Sequence, residues 1–143
     1  MDNQFSKVAN REGATVPEIK LYGYMLYDTL EYRISTRTLI NIKNGKIKRL
    51  GETKARLFNY LLEHAEVKYI ADETLYQQVF ENNGLRCSKS YLWAMIRQIH
   101  AAFLSVGYDR APLKRYEGKG YVIDQDSIKK FYVMETASLT DIT

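Results

Sequence analysis

Leu92, Ile96, Ile99 and Phe103 follow one another at intervals of four, three and four residues, which places all four on one side of a helix. Ser88 is a good N-cap for this helix, and Gly107 suits its C-cap, so the helix spans residues 88–106. An earlier set, Ala55, Leu57, Phe58, Leu61, Leu62 and Ala65, recurs at the same spacing and predicts a helix over 52–65. Leu75, Val79 and Phe80 mark a shorter one over 72–81, stopped by Asn82-Asn83-Gly84. Before Gly51 the period is two. Arg33, Ser35 and Arg37 alternate with Tyr32, Ile34 and Thr36, and Asn44-Gly45 supplies the positive φ of a tight hairpin turn. An antiparallel sheet of three or four strands beginning near Leu21 is expected there. After the long helix, Gly118-Lys119-Gly120 separates residues 113–116 from 121–123 as a second hairpin. The order is sheet, helix, short helix, long helix, hairpin.

The 143 residues allow one domain and can bury a core without disulfide or metal staples. Residues 1–20 read as a mobile arm, 21–123 as the domain and 124–143 as a polar tail, in which Phe131–Met134 fits a strand or a helix equally well. One cysteine, Cys87, excludes an intramolecular disulfide and a multi-cysteine zinc site. No apolar run is long enough for a membrane span, and the first five residues lack the pattern of a secretory leader. The expectation is a cytoplasmic chain, or one at the cytoplasmic face of the inner membrane if the native protein continues into a span. The net charge of +4 is uneven: residues 43–56 and 86–121 each carry +5, offset by acidic stretches elsewhere. Basic blocks of this kind attract polyanions, although most charge runs only solvate a face.

The long helix has a second face. Lys89, Trp93 and Arg97 lie at four-residue spacing, beside Ser90, Ala94, Gln98 and Ala101, and none of these belongs to the apolar stripe. Ser88, Lys89, Ser90, Arg97, Gln98 and His100 are the polar candidates. Arg pairs with guanine O6 and N7, and Gln with adenine N6 and N7. Lys89 and the hydroxyls near the helix start suit phosphates. Trp93 on the outward face is unusual for an idle surface helix. The second hairpin adds Lys114, Arg115 and Lys119. Two successive helices and a basic hairpin read as a helix-turn-helix with a wing, a unit that places its second helix in the major groove of duplex DNA.

In this order the residues resemble the winged helix-turn-helix domain of OmpR/PhoB-type transcription regulators, over 21–123, about seven-tenths of the chain. Leu57, Phe58 and Leu61 match the first helix of that family. Val67, Ile70, Leu75, Val79 and Phe80 match its second, and the Leu92 stripe its recognition helix. Tyr116-Glu117-Gly118-Lys119-Gly120-Tyr121-Val122-Ile123 resembles its wing signature, the most specific element of the match. The resemblance implies an α+β fold: a winged helix-turn-helix with an N-terminal antiparallel sheet, three helices and a C-terminal β-hairpin wing. It implies base-reading positions at Ser90, Ala94, Arg97 and Gln98. Wing contacts would come from Arg115 and Glu117, with Lys119 at the tip. The loop over 82–87 would face RNA polymerase, and promoter DNA with repeated half-sites would accommodate a homodimer. Without a receiver domain before residue 21, the layout is similar to the ToxR/CadC-like branch.

Five positions depart from the family pattern: Glu117 stands where Arg is often found, Gln98 and His100 where Arg is common, Ala71 replaces Ser, and Lys54 replaces Glu. They imply a less basic reading helix and modest affinity. Lys54 and Arg56 could touch the backbone, whereas Lys43, Lys46, Lys48 and Arg49 sit on the sheet that the family turns away from the groove. The competing reading is a protein-docking winged helix that contacts another regulator or the transcription machinery. No catalytic residue, metal or cofactor is expected. His64 and His100 are far apart, Cys87 has no CxxC partner, and Gly118-Lys119-Gly120 lacks P-loop spacing.

Overall fold

The computed structural model describes residues 16–137. The chain opens with four antiparallel strands: β1 (Val16–Leu26), β2 (Leu30–Arg33), β3 (Thr38–Asn41) and β4 (Ile47–Arg49). Helix α1 (Glu52–Glu63) follows, then the two-residue strand β5 (Ile70–Ala71) and the short helix α2 (Asp72–Leu75). The long helix α3 (Lys89–Ser105), the hairpin strands β6 (Leu113–Tyr116) and β7 (Gly120–Ile123), and strand β8 (Ile128–Ala137) complete it. The first sheet has the order β4-β3-β2-β1-β8, and a smaller one the order β5-β7-β6.

Two boundaries differ from those predicted. The sheet begins at Val16, inside the segment expected to be an arm, and the segment expected to be a polar tail supplies β8. Among the described residues the sheet therefore has five strands, and Phe131–Met134 is strand. Each missed stretch is half of a long pair, Val16 opposite Ala137 through Leu26 opposite Ile128, so neither carries a turn signal that joins it to the other. A register shift between Leu21 and Gly23 also interrupts the two-residue period. Gly23 is required at that point. A Cβ there would run into the Tyr32 carbonyl oxygen and come within 3.3 Å of the Phe131 ring. The rest of the expected arm and tail lies outside the described residues.

The second helix is also less regular than its spacing suggests. α2 runs on as a wider π turn (Tyr76–Phe80) and a tight 3-10 turn (Glu81–Asn83), closed by Gly84 at φ 75°. Leu75, Val79 and Phe80 are all fully buried in this geometry.

The core lies between the first sheet and the helices. Tyr24, Leu26, Leu30, Tyr32 and Leu39 come from the sheet, Leu57, Phe58 and Leu61 from α1, and Leu92, Ile96, Ile99 and Phe103 from α3. Phe58 meets Tyr32 edge-on at 4.9 Å and Phe103 at 5.8 Å, which links the three layers through one ring. Each such side chain contributes about 1.5–3 kcal/mol by leaving water. The stripe predicted for α3 is thus its buried side, and its opposite side is fixed outward. Both ends of α3 are held. Ser88 Oγ accepts from the Tyr91 amide at 3.1 Å, and the Val106 carbonyl accepts from Asn41 Nδ2 at 2.9 Å and Asn44 Nδ2 at 3.1 Å.

Candidate nucleic-acid interface

The outward side of α3 gathers most of the predicted polar residues. Ser88, Lys89, Ser90, Trp93, Arg97 and Gln98 are exposed, and Ala94 is half-buried among them. Trp93 keeps 53% of its surface in water, and the Arg97 guanidinium lies over its ring at 4.8 Å from the centroid. Stacking of this kind orients the planar donor fork of Arg97 while leaving its edge open. Trp93 does not pack under the 82–87 loop. It lines a cleft of about 500 Å³ together with Lys89, Ser90, Ala94, Asp72, Arg115 and Tyr121.

His100 departs from the expectation. It is half-buried, and the Leu113 amide donates to its Nε2 at 3.4 Å. Burial pushes its pKa below the usual histidine range. A neutral ring in this position accepts from the strand and joins α3 to β6. The two-residue shift from Gln98 rotates the ring off the outward face, a consequence of helical pitch.

The wing forms as predicted, and its placement depends on two glycines and one aspartate. Gly118 has φ 70° and Glu117 φ 47°, so the tip turns through the left-handed region. β7 passes against β5, with Ile70 opposite Tyr121 and Ala71 opposite Gly120. A Cβ on Gly120 would enter the Ile70 carbonyl oxygen, so only glycine permits this approach. The Asp72 amide donates to the Lys119 carbonyl at 3.0 Å, tying the start of α2 to the tip.

Arg115 is committed to this joint. Its Nη1 and Nη2 each donate to one oxygen of the Asp72 carboxylate at 2.6 Å, and Nη2 also donates to the Gly118 carbonyl at 2.9 Å. Its guanidinium covers the Tyr121 ring at 4.8 Å. The residue implied as a wing contact therefore braces the wing against α2, with its charge matched by Asp72. Lys119 faces Glu117 at 3.6 Å with both side chains largely exposed, a pair that water screens heavily. Among the described residues, Lys89, Arg97 and Lys114 form no ion pair. Local sequence shows Asp72 only as the first residue of a helix. Its partner lies 43 residues away, beyond any local signal.

Cys87 is half-buried, and burial raises its thiol pKa, which keeps it protonated and a poor nucleophile. Among the described residues, no group of three or more His, Cys, Asp or Glu is placed to hold a metal ion. No helix among them is long and apolar enough to cross a membrane.

No protein-family profile matches the sequence, and no curated protein matches it. Among solved structures, the DNA-binding domain of E. coli CadC is similar at a TM-score of 0.58 and 11% identity, covering 84% of this chain and 100% of that domain. The C-terminal domain of the nisin resistance regulator NsrR, a lantibiotic response regulator, aligns at a TM-score of 0.49 and 20% identity, covering 74% and 96%. The likeness to the CadC domain is one of fold. The chain has the α+β winged-helix architecture, with an antiparallel sheet, three helices and a C-terminal hairpin.

Proposed function

We propose that this chain is a sequence-specific, double-stranded DNA-binding transcription regulator that places α3 in the major groove and the β6–β7 wing on the adjacent minor groove or backbone. One observation carries the reading. An exposed helical face bearing Lys89, Ser90, Trp93, Arg97 and Gln98 borders a cleft whose far wall is the wing. A rigid helix with donors on one side and a basic hairpin beside it suits a groove and its flanking phosphates. The CadC domain of the same fold is a DNA-binding domain, which supports the same reading. Arg97 and Gln98 are assigned to bases, with Ser90 and Ala94 beside them, and Ser88, Lys89, Lys114 and Lys119 to phosphates. Repeated half-sites in a promoter would bring two copies together, and the 82–87 loop is the assigned contact for RNA polymerase.

The test is binding to DNA from the chain's own promoter region across a salt series. Counterion release makes affinity fall steeply with salt. Arg97→Ala is expected to cost about 1–3 kcal/mol and to relax base preference. Unchanged affinity and preference would refute the assignment of the reading face. The Asp72–Arg115 and Glu117–Lys119 pairings favour the second reading, a protein-docking winged helix. Failure to shift promoter DNA even at low salt would select it.

A further inference from the structure

The chain has one tryptophan, and it stands in water on the outward side of α3. A ring this large gives up much free energy by staying out of the core, and such rings are typical of surfaces that meet a partner. Among the described residues no other aromatic ring stacks on Trp93. What covers one of its faces is Arg97, with the guanidinium carbon 4.8 Å from the ring centroid. The two residues are one helical turn apart, about 6 Å along the axis. Arg97 has no carboxylate partner among the described residues, so the stack holds its fork without consuming its charge. Around the pair the helix surface is low, because Ser90, Ala94 and Ala101 are small. The ring edge and the guanidinium edge therefore stand clear of their neighbours.

We propose that the Trp93–Arg97 stack reads two adjacent base pairs as a unit, a guanine through Arg97 and a thymine through Trp93, with the thymine 5-methyl group against the ring edge and Ala94. The inference rests on the DNA reading above. A guanidinium that is bidentate to guanine O6 and N7 lies in the plane of that base pair. Successive base pairs are about 3.4 Å apart. A ring 4.8 Å below the guanidinium therefore stands near the level of the next pair and meets its groove edge. The indole offers a hydrocarbon edge and one N–H donor, and no acceptor. Thymine alone presents the groove with a methyl group beside an acceptor, O4. Cytosine and adenine each present an amino group, for which the ring has no acceptor, and guanine presents no apolar group. Trp93 thus orients Arg97 and selects the neighbouring base.

The test selects a preferred duplex from a random library with the full chain, then changes single atoms in that duplex. Replacing each guanine in turn by 7-deazaguanine removes N7. The guanine read by Arg97 is the one where the parent loses affinity and Arg97→Ala does not. Uracil in place of thymine in the pair beside it removes only the 5-methyl group. The parent should then bind about fourfold more weakly, the worth of burying one such carbon. Trp93→Ala should bind the thymine duplex about tenfold more weakly and no longer distinguish thymine from uracil, whereas Trp93→Phe should keep the distinction. A ring with a merely structural role would lower affinity and leave the distinction intact. Circular dichroism confirms that each variant is folded. A selected duplex with no guanine answering to Arg97 or no thymine beside it overturns the proposal. So does a uracil substitution that the parent ignores, or that Trp93→Ala feels as strongly. In each of these cases the DNA reading stands. A library that yields no preferred duplex overturns both.

Discussion

The two basic blocks have equal charge and each contains a glycine-turned hairpin, yet they meet opposite ends of α3. The β3–β4 hairpin packs at its C-terminal end, where Asn41 and Asn44 donate to the Val106 carbonyl, and its Lys43, Lys46 and Lys48 point into solvent. The wing stands beside the N-terminal half of α3, across the cleft from Lys89 and Trp93. Equal net charge is therefore a poor guide to role. What separates the blocks is which end of one helix each hairpin is tied to, and how many of its cations are already spent on that tie.

The sharpest way to break the comparison is Gly120→Ala. The new Cβ meets the Ile70 carbonyl, so stability should fall by about 1–3 kcal/mol, with wing function lost alongside it. Thermal denaturation measures this directly. A smaller effect is expected at Asp72→Ala. Removing the bidentate partner of Arg115 should cost about 1–2 kcal/mol in stability. The freed guanidinium should steepen the salt dependence of DNA binding by about one unit of slope. An unchanged slope would mean that Arg115 remains turned away from the duplex.

Neutralising the blocks separately tests their roles. Lys89→Gln and Lys119→Gln should each lower the salt slope by about 1, whereas Lys43, Lys46 and Lys48 changed together to Gln should leave it where it is. A slope that falls with the second set would place DNA on the β3–β4 hairpin as well. The smallest effect concerns His100. Its folded-state pKa is lowered chiefly by burial, so below about pH 6.5 the unfolded chain binds more protons than the folded one. The stability from this residue is complete above that pH and declines as pH falls through it. Denaturant midpoints at pH 7.5 and 5.5 should show a smaller difference in His100→Gln than in the parent, and the salt slope at neutral pH should not move.

Much of this layout was legible from local patterns. The α3 stripe, the Ser88 cap, the Asn44-Gly45 turn and the glycine-flanked wing each announce themselves within a few residues, because helical pitch, capping and turn geometry are short-range requirements. The outward face of α3 follows once its inward face is known, so Lys89, Trp93, Arg97 and Gln98 were placed correctly. The surroundings of His100 were not legible, because a helix has more than two sides and a residue at the margin is met by whichever strand packs there, here β6 through the Leu113 amide. Arg115 was assigned to the wing surface because its charge is visible in the sequence and its partner at Asp72 is not.

By itself, then, the order of residues determined the elements, the buried stripe and the hairpin turns, all of which depend on neighbours a few positions apart. Only the tertiary structure decided that Val16–Leu26 pairs with Ile128–Ala137 and that Asp72 takes up Arg115. It also decided that Gly120 must pass close to Ile70. These contacts join segments dozens to more than a hundred residues apart. Their free energy comes from packing and charge pairing that exist only after the chain has closed those loops.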